Sequence, residues 1–274
     1  MGKRRSGTGW LAALVLLVAA VGIGVYLARR QSTPEPYVLA PVPATQPEPV
    51  SAAPEPTHPI QDALPGAEIQ DTGPLPELQD SDAAVLAELA RLFGLEEPAG
   101  VFVAGHVIPR IVVTVDNLPR RRIVQRILPV RPAPGTLQVE EADGRLWLAD
   151  ANSGRYEAFV AMLESADPDA VAAAYVRAYP LFQSAYAELG YPDAYFNDRL
   201  VEVIEHLLAA PVPVRPLELE PAQRGYRYLD PGLESASVGH KLMFRLSAGQ
   251  VDRVHAALRE FRARVVAHER PESH

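Results

Sequence analysis

Four side chains that could do chemistry lie within nine residues, on a helix predicted from Asp198 to Leu208. Asp198, Glu202, Glu205 and His206 fall at helical steps that allow neighbours to meet. Carboxylates and an imidazole on one helix face are potential metal ligands. However, the two-histidine zinc motif and the Glu-x-x-His step of di-iron bundles are both absent. We therefore favour a solvated polar face over a metal site, and we expect no cofactor.

Glu202 and Glu205 could also form the acid pair of a glycan hydrolase. That chemistry needs a buried carboxyl group, which two glutamates three residues apart on an exposed helix do not indicate. The chain has no cysteine, no G-x-S-x-G elbow and no glycine-rich phosphate loop. The catalytic residues are therefore left unassigned, and a role without catalysis is favoured.

A basic cluster follows the stretch "DNLP" and consists of Arg120, Arg121, Arg122 and Arg126. It predicts a binding patch for phosphate or acidic lipid, or alternatively a local counterweight to an acidic domain. The whole chain carries a formal net charge of −8. Because its basic charge is not concentrated in the folded part, nucleic acid is not an expected partner.

The elements that position these residues follow three zones of composition. Residues 1–8 are a short basic start, and residues 9–28 contain the uncharged run "WLAALVLLVAAVGIGVYLA". This run predicts a single transmembrane helix rather than a cleaved signal peptide. The basic residues before it favour an N-terminus in the cytoplasm. We therefore expect a protein of the bacterial inner membrane with a periplasmic C-terminal domain.

Residues 29–79 predict a disordered, proline-rich linker. Twelve prolines lie between positions 31 and 79, and so few large apolar groups cannot offset the entropy of ordering. Repeated X-Pro pairs favour polyproline II, which suits a semi-rigid tether. A P-x-x-P spacing from Pro56 to Pro59 is the alternative docking motif, and we favour the plain tether.

Residues 80–268 predict a mainly α-helical, bundle-like domain with one or two small β-hairpins, followed by a tail at 269–274. Helices are expected in "DSDAAVLAELARLFG" and "HVIPRIVVTVDNLPRRR", and the first hairpin in "TLQVEEADGRLWL". Two later stretches, "PVRPLELE" and "GYRYL", predict two more short strands. A longer helix carries an aromatic stripe, which is more typical of a core than of a ligand groove. The stripe consists of Tyr175, Tyr179, Phe182 and Tyr186.

The stretch "GYPDAYFNDRL", residues 190–200, predicts a tight corner between two helices. Gly190 suits the end of the first helix, and Asn197 is expected to cap the second. At least two of the three aromatic rings in this stretch should pack under the corner. Asp193 and Arg199 are expected to be exposed and to tolerate substitution.

Two stretches resemble a known family. "VVTVDNLPRR" (112–121) and "YPLFQSAYAELGYPDAYFNDRLVEVIEHLL" (179–208) resemble the proteobacterial domain-of-unknown-function family numbered three thousand and fourteen. The resemblance covers residues 80 to about 265. It implies a membrane segment, a proline-rich tether and a mostly helical domain, and it brings no activity and no site residues.

These observations predict a membrane-tethered interaction or scaffolding module of the cell envelope. Its expected partners are the membrane, through residues 9–28, and another envelope protein. The alternative is an envelope glycan hydrolase with Glu202 or Glu205 as the acid.

Overall fold

The computed structural model describes residues 55–63, 73–122, 127–133, 135–223 and 225–266. Nine α-helices are found in these residues. They are α1 (Asp82–Phe93), α2 (Pro98–Val101), α3 (Val107–Asn117), α4 (Glu157–Ser165), α5 (Pro168–Glu188), α6 (Phe196–Leu208), α7 (Pro231–Ser235), α8 (Val238–Met243) and α9 (Ala248–Val265). Short 3-10 helices cover Ile60–Asp62, Leu78–Asp80 and Asp150–Tyr156.

Helix α5 lies at the centre of the bundle and packs against α3, α6 and α9. It begins at Pro168, where the Asp167 side chain caps it by accepting the backbone N–H of Asp169 at 3.0 Å. Three rings of its aromatic stripe, Tyr175, Phe182 and Tyr186, are buried in the main core. The prediction that the stripe is core is therefore confirmed.

Four strands form one small antiparallel sheet in the order β1-β2-β3-β4. They are β1 (Val139–Ala142), β2 (Arg145–Leu148), β3 (Glu218–Ala222) and β4 (Gly225–Tyr228). The two predicted hairpins join through β2 and β3, where Leu146 pairs with Leu219. The sheet packs over a second, smaller core that includes Leu148, Leu219, Tyr228 and Phe244.

An N-terminal segment, residues 55–63, packs on the helical domain although it belongs to the predicted linker. Ile60 contacts the main core, and Ala63 is buried. The 3-10 helix that begins at Ile60 and precedes Ala63 lies against α5. The prediction of a disordered linker over the whole of 29–79 is therefore wrong for these nine residues.

The predicted fold class needs two corrections. The structure is mainly helical, but the hairpins are one continuous sheet and not separate units. The predicted transmembrane helix is not found among the described helices, none of which is long and apolar enough to cross a membrane. The membrane, single-pass and periplasmic terms of the prediction depend on that helix, and nothing in the described residues supports them. The stretch assigned to it, 9–28, lies outside the described residues, as do 1–8 and 269–274.

Candidate interaction site at the start of helix α6

The corner between α5 and α6 has the geometry that its sequence predicts. Helix α5 ends at Glu188, and Gly190 follows with a φ of 113°, a conformation that side-chain-bearing residues rarely adopt. Phe196 then starts α6 and is completely buried. The chain therefore reverses within seven residues, from 189 to 195, and brings the first turn of α6 against α5.

Two of the three corner rings pack under the junction, as predicted. Phe196 stacks on Phe182 with ring centroids 5.7 Å apart and an interplanar angle of 8°. Tyr191 stacks on Tyr186 with centroids 4.7 Å apart. These aromatic contacts fix the backbone position at the start of α6.

Asn197 does not cap α6, so this prediction is wrong. The N-cap residue is Tyr195, and Asn197 is the second residue of the helix and fully buried. Its Oδ1 atom accepts a hydrogen bond from the Tyr175 hydroxyl at 3.0 Å. Its Nδ2 group donates to the carbonyl oxygens of Val265 at 3.0 Å and His58 at 2.8 Å. One side chain thus links α5, the end of α9 and the N-terminal segment.

The side chain of Asp198 binds the backbone of the same segment. The N–H of Thr57 donates to Oδ2 at 2.9 Å, and the N–H of His58 donates to Oδ1 at 2.7 Å. Hydrogen bonds to an ionised carboxylate are stronger than those between neutral groups. We call Asn197 and Asp198 the segment clamp, since together they take two N–H groups and one carbonyl of a single extended stretch.

Gln183 supports the clamp from α5 and was missed by the sequence analysis. Its Oε1 atom accepts from the Phe196 N–H at 2.9 Å and from the Tyr179 hydroxyl at 2.8 Å. Its Nε2 group donates to the Ala194 carbonyl at 2.8 Å. A glutamine inside an otherwise apolar and aromatic helix face is the signal that could have identified it.

The phenols around the clamp are donors and not bases. Burial raises the pKa of Tyr175 well above its usual value and that of Tyr179 to about 12. Both hydroxyls therefore keep their protons at neutral pH. The hydroxyl of Tyr175 donates to the clamp, and that of Tyr179 donates to Gln183.

Arg199 joins the two stretches that carry the family resemblance. Its Nε donates to the Asp116 carboxylate at 3.0 Å, and its Nη2 donates to the Asp116 carbonyl at 2.8 Å. Asp116 is buried, and it also accepts from Arg120 at 2.7 Å. The prediction that Arg199 is exposed and unpaired is therefore wrong, because its partner lies 83 residues away in the chain.

The structure does not assemble the predicted basic patch as four equivalent groups. Arg120 is engaged by Asp116 and also donates to the Tyr191 hydroxyl at 3.2 Å. Arg121 and Arg122 are exposed, and Arg126 lies outside the described residues. Binding of an anion at this patch stays a prediction.

The four candidate residues that the sequence places on one face of α6 contact four different partners. Asp198 binds the N-terminal segment, and Glu202 accepts from Arg199 at 2.7 Å. Glu205 accepts from Arg262 at 3.1 Å, and the His206 ring stacks on another histidine. In the described part of the chain, no three histidine or carboxylate side chains come close enough to hold a metal ion.

A cavity of about 510 Å³ lies elsewhere, where α4 and α5 meet α9. Its lining includes Leu163, Val171 and Phe261 together with the acidic side chains of Asp252 and Glu260. Neither the segment clamp nor the Glu202 and Glu205 pair lines this cavity. The clamp residues and the glutamate pair therefore lie outside this cavity, where α6 contacts other parts of the chain.

Comparison with known proteins gives one match. The model of a family described as "Protein of unknown function (DUF3014)" matches residues 107–262. No curated protein and no solved structure matches the chain. The matched residues include Gln183, Asn197, Asp198 and Arg199, whereas the segment held by the clamp precedes them.

Proposed function

This chain belongs to the family described as "Protein of unknown function (DUF3014)", and we propose that its domain is a protein-interaction module. In this proposal, the segment clamp holds an extended, proline-containing stretch of polypeptide. The observation that carries the proposal is a set of three hydrogen bonds: the N–H groups of Thr57 and His58 donate to Asp198, and Asn197 donates to the His58 carbonyl. The chain's own residues 55–63 are the occupant in this structure.

The chemistry of the clamp supports binding of a peptide backbone. Asp198 accepts two consecutive N–H groups, and Asn197 donates to the next carbonyl, so no side chain of the bound segment is required for these bonds. Recognition through main-chain hydrogen bonds is a common way to bind extended peptides. The same groups can hold a partner's backbone in the same conformation.

The rigidity of the site supports the proposal as well. Asn197 is fixed by Tyr175 and Val265, and the Phe196 backbone is fixed by Gln183. Groups held by the surrounding fold lose little conformational freedom when a partner binds. Asn197 and the start of α6 are therefore held in place by groups of the domain itself.

The residues that Asp198 holds differ from a stretch that leads directly into a core helix. Asp82 holds the N–H groups of His106 and Val107 at 2.7 Å each, and those residues lead directly into α3. Asp198 instead holds residues that lie before the matched range of 107–262. The binding groups belong to the family domain, and the occupant does not.

The hydrolase alternative has no observation in its favour. Glu202 and Glu205 are exposed, and each is paired with an arginine of the domain. A role for either residue as a catalytic acid stays a prediction. The partner that we propose for the clamp is another protein, in line with the interaction role that the sequence predicts.

A peptide-binding experiment on the full chain tests the proposal. The double substitution Thr57→Pro and His58→Pro removes both N–H donors and vacates the clamp, because proline has no backbone N–H. A fluorescent peptide of residues 53–64 is then titrated into this vacated chain, and its anisotropy is measured. We expect saturable binding, and weaker binding to the unmodified chain, whose own segment competes at an effective concentration on the order of millimolar.

Two further substitutions in the vacated chain provide the contrast. Asp198→Ala should weaken binding by about tenfold or more, since a hydrogen bond to a charged group contributes roughly 1.5–3 kcal/mol. Asp193→Ala removes an exposed carboxylate of the same corner and should leave the affinity unchanged. Absence of binding to the vacated and cooperatively folded chain would overturn the proposed function.

A further inference from the structure

Building on the proposed function, we infer that the segment clamp reads one pattern in its partner: Pro-Xaa-Xaa-Pro followed by an apolar residue. The bound stretch of this chain has that pattern, with Pro56, Thr57, His58, Pro59 and Ile60. Thr57 and His58 each have a backbone N–H group, whereas the prolines on either side have none. These two N–H groups are the ones that Asp198 accepts.

The two middle positions are read through the backbone. The Thr57 side chain is exposed and the His58 side chain is half-buried, while both of their N–H groups point at the Asp198 carboxylate. Almost any side chain can therefore occupy these two positions. Proline is the exception, because it would leave one carboxylate oxygen without its donor.

The flanking prolines hold the segment in the bound conformation. Pro59 has a φ of −59° and a ψ of 126°, which is close to polyproline II. Proline fixes φ near this value in the free peptide too, so less conformational entropy is lost on binding. Replacement of either proline should weaken binding even though neither donates to the clamp.

The residue after the second proline anchors the segment in the domain. Ile60 begins a 3-10 helix and packs against the main core, and Ala63, which follows the end of this helix, is buried. A polar residue in place of Ile60 would have to be desolvated without gaining a partner. The pattern thus ends in an apolar residue followed by a turn.

The composition of the proline-rich region indicates why the clamp holds this particular stretch. Residues 31–79 contain twelve prolines, and Pro56 and Pro59 are the one pair among them separated by two residues. The alternating Pro-x-Pro pairs nearby leave a single N–H between prolines, which cannot satisfy both oxygens of Asp198. Among the proline pairs of this region, the clamp holds the one that encloses two backbone N–H donors.

A panel of peptides titrated into the vacated chain tests the pattern. The parent peptide covers residues 53–64, and Thr57→Ala and His58→Ala peptides should bind within about twofold of it, since both N–H groups remain. Thr57→Pro and His58→Pro peptides should each bind at least about tenfold more weakly. Pro59→Ala and Ile60→Ser peptides should be weakened about three- to tenfold.

The panel separates the failure of the pattern from the failure of the proposed function. If the parent peptide does not bind, the proposed function fails and the pattern fails with it. If the parent and the two proline-substituted peptides bind equally, the module still binds peptides, and the inferred pattern is overturned. Tighter binding of a scrambled peptide with the same composition would also overturn the pattern.

Discussion

Arg199 of α6 reaches the end of α3 and places its Nε atom 3.0 Å from the Asp116 carboxylate. This contact joins "VVTVDNLPRR" to "YPDAYFNDRL", two stretches that lie far apart in the chain. The residue beside Arg199 is Asp198, whose carboxylate binds the N-terminal segment. The first turn of α6 therefore contacts the core bundle through Arg199 and the N-terminal segment through the neighbouring Asp198.

Removal of the Asp116 carboxylate should destabilise the fold strongly. Asp116 is buried and accepts from both Arg199 and Arg120, so Asp116→Ala leaves the half-buried guanidinium of Arg199 without its main partner. Breaking a buried ion pair costs about 3 kcal/mol or more. Equilibrium denaturation with urea measures the change in the free energy of unfolding.

The matched control for that prediction is Glu202→Ala. Glu202 accepts from the same guanidinium at 2.7 Å, but its side chain is 65% exposed. Exposed ion pairs contribute about 1 kcal/mol or less. Equal losses in the two variants would show that burial of Asp116 does not govern the strength of its contact with Arg199.

Asn197→Ala should destabilise the protein more than loss of a helix cap would. The substitution leaves the Tyr175 hydroxyl and the Val265 carbonyl unpaired in the core. Each buried polar group left without a partner costs about 1–3 kcal/mol, so the total should exceed the ~1 kcal/mol typical of a cap. A shift in the urea midpoint close to that of a cap would contradict this assignment.

The features predicted correctly are those whose signal is local. Gly190 and the aromatic stripe from Tyr175 to Tyr186 lie in short stretches whose pattern alone indicates a helix end and a buried face. Asn197 was assigned as a cap on the same local basis, and that failed. Its partners His58 and Val265 lie 139 and 68 residues away in the chain. Residue preferences at helix ends are local and carry no information about such distant contacts.

The sheet and the clamp were missed for the same reason. Each hairpin was recognisable from a short alternating run, but the pairing of Leu146 with Leu219 joins strands separated by three helices. The docking of Thr57 on Asp198 spans 141 residues. A proline-rich composition predicted disorder for the segment, and its contacts with Asp198, Asn197 and the main core outweigh that tendency.

Gly239→Ala should destabilise the contact between α6 and α8. A Cβ atom at this position would lie 2.4 Å from Leu207 Cδ2 and 3.3 Å from the Leu118 carbonyl oxygen. Leu207 is buried, so it cannot move away freely. Overpacking of this kind costs about 1–3 kcal/mol, which thermal unfolding followed by circular dichroism will detect.

Gly249→Ala is the control at a second helical glycine. Nothing lies within 4 Å of the Cβ atom that this substitution adds in the first turn of α9. Alanine is favoured over glycine in a helix by about 0.5–1 kcal/mol. The two substitutions should therefore shift the melting temperature in opposite directions, and a shift in the same direction would contradict the packing at Gly239.

Acidification should weaken the fold through the stacked rings of His206 and His240, whose centroids are 4.1 Å apart. Burial, followed by the neighbouring His240 ring, lowers the pKa of His206 below its usual 6.5; Glu202 opposes this effect, and Arg199 adds to it slightly. The unfolded chain then binds more protons than the folded chain between about 6.5 and the lower folded pKa. The stability contributed by neutral His206 is thus fully present above about pH 6.5 and is lost as the pH falls through this window.

Urea midpoints measured from pH 7.5 to 5 should decrease, and His206→Gln should make that decrease shallower. Part of the slope will remain, because burial lowers the pKa of His255 in the same direction. Identical slopes for the parent chain and His206→Gln would show that His206 titrates alike in the folded and unfolded states.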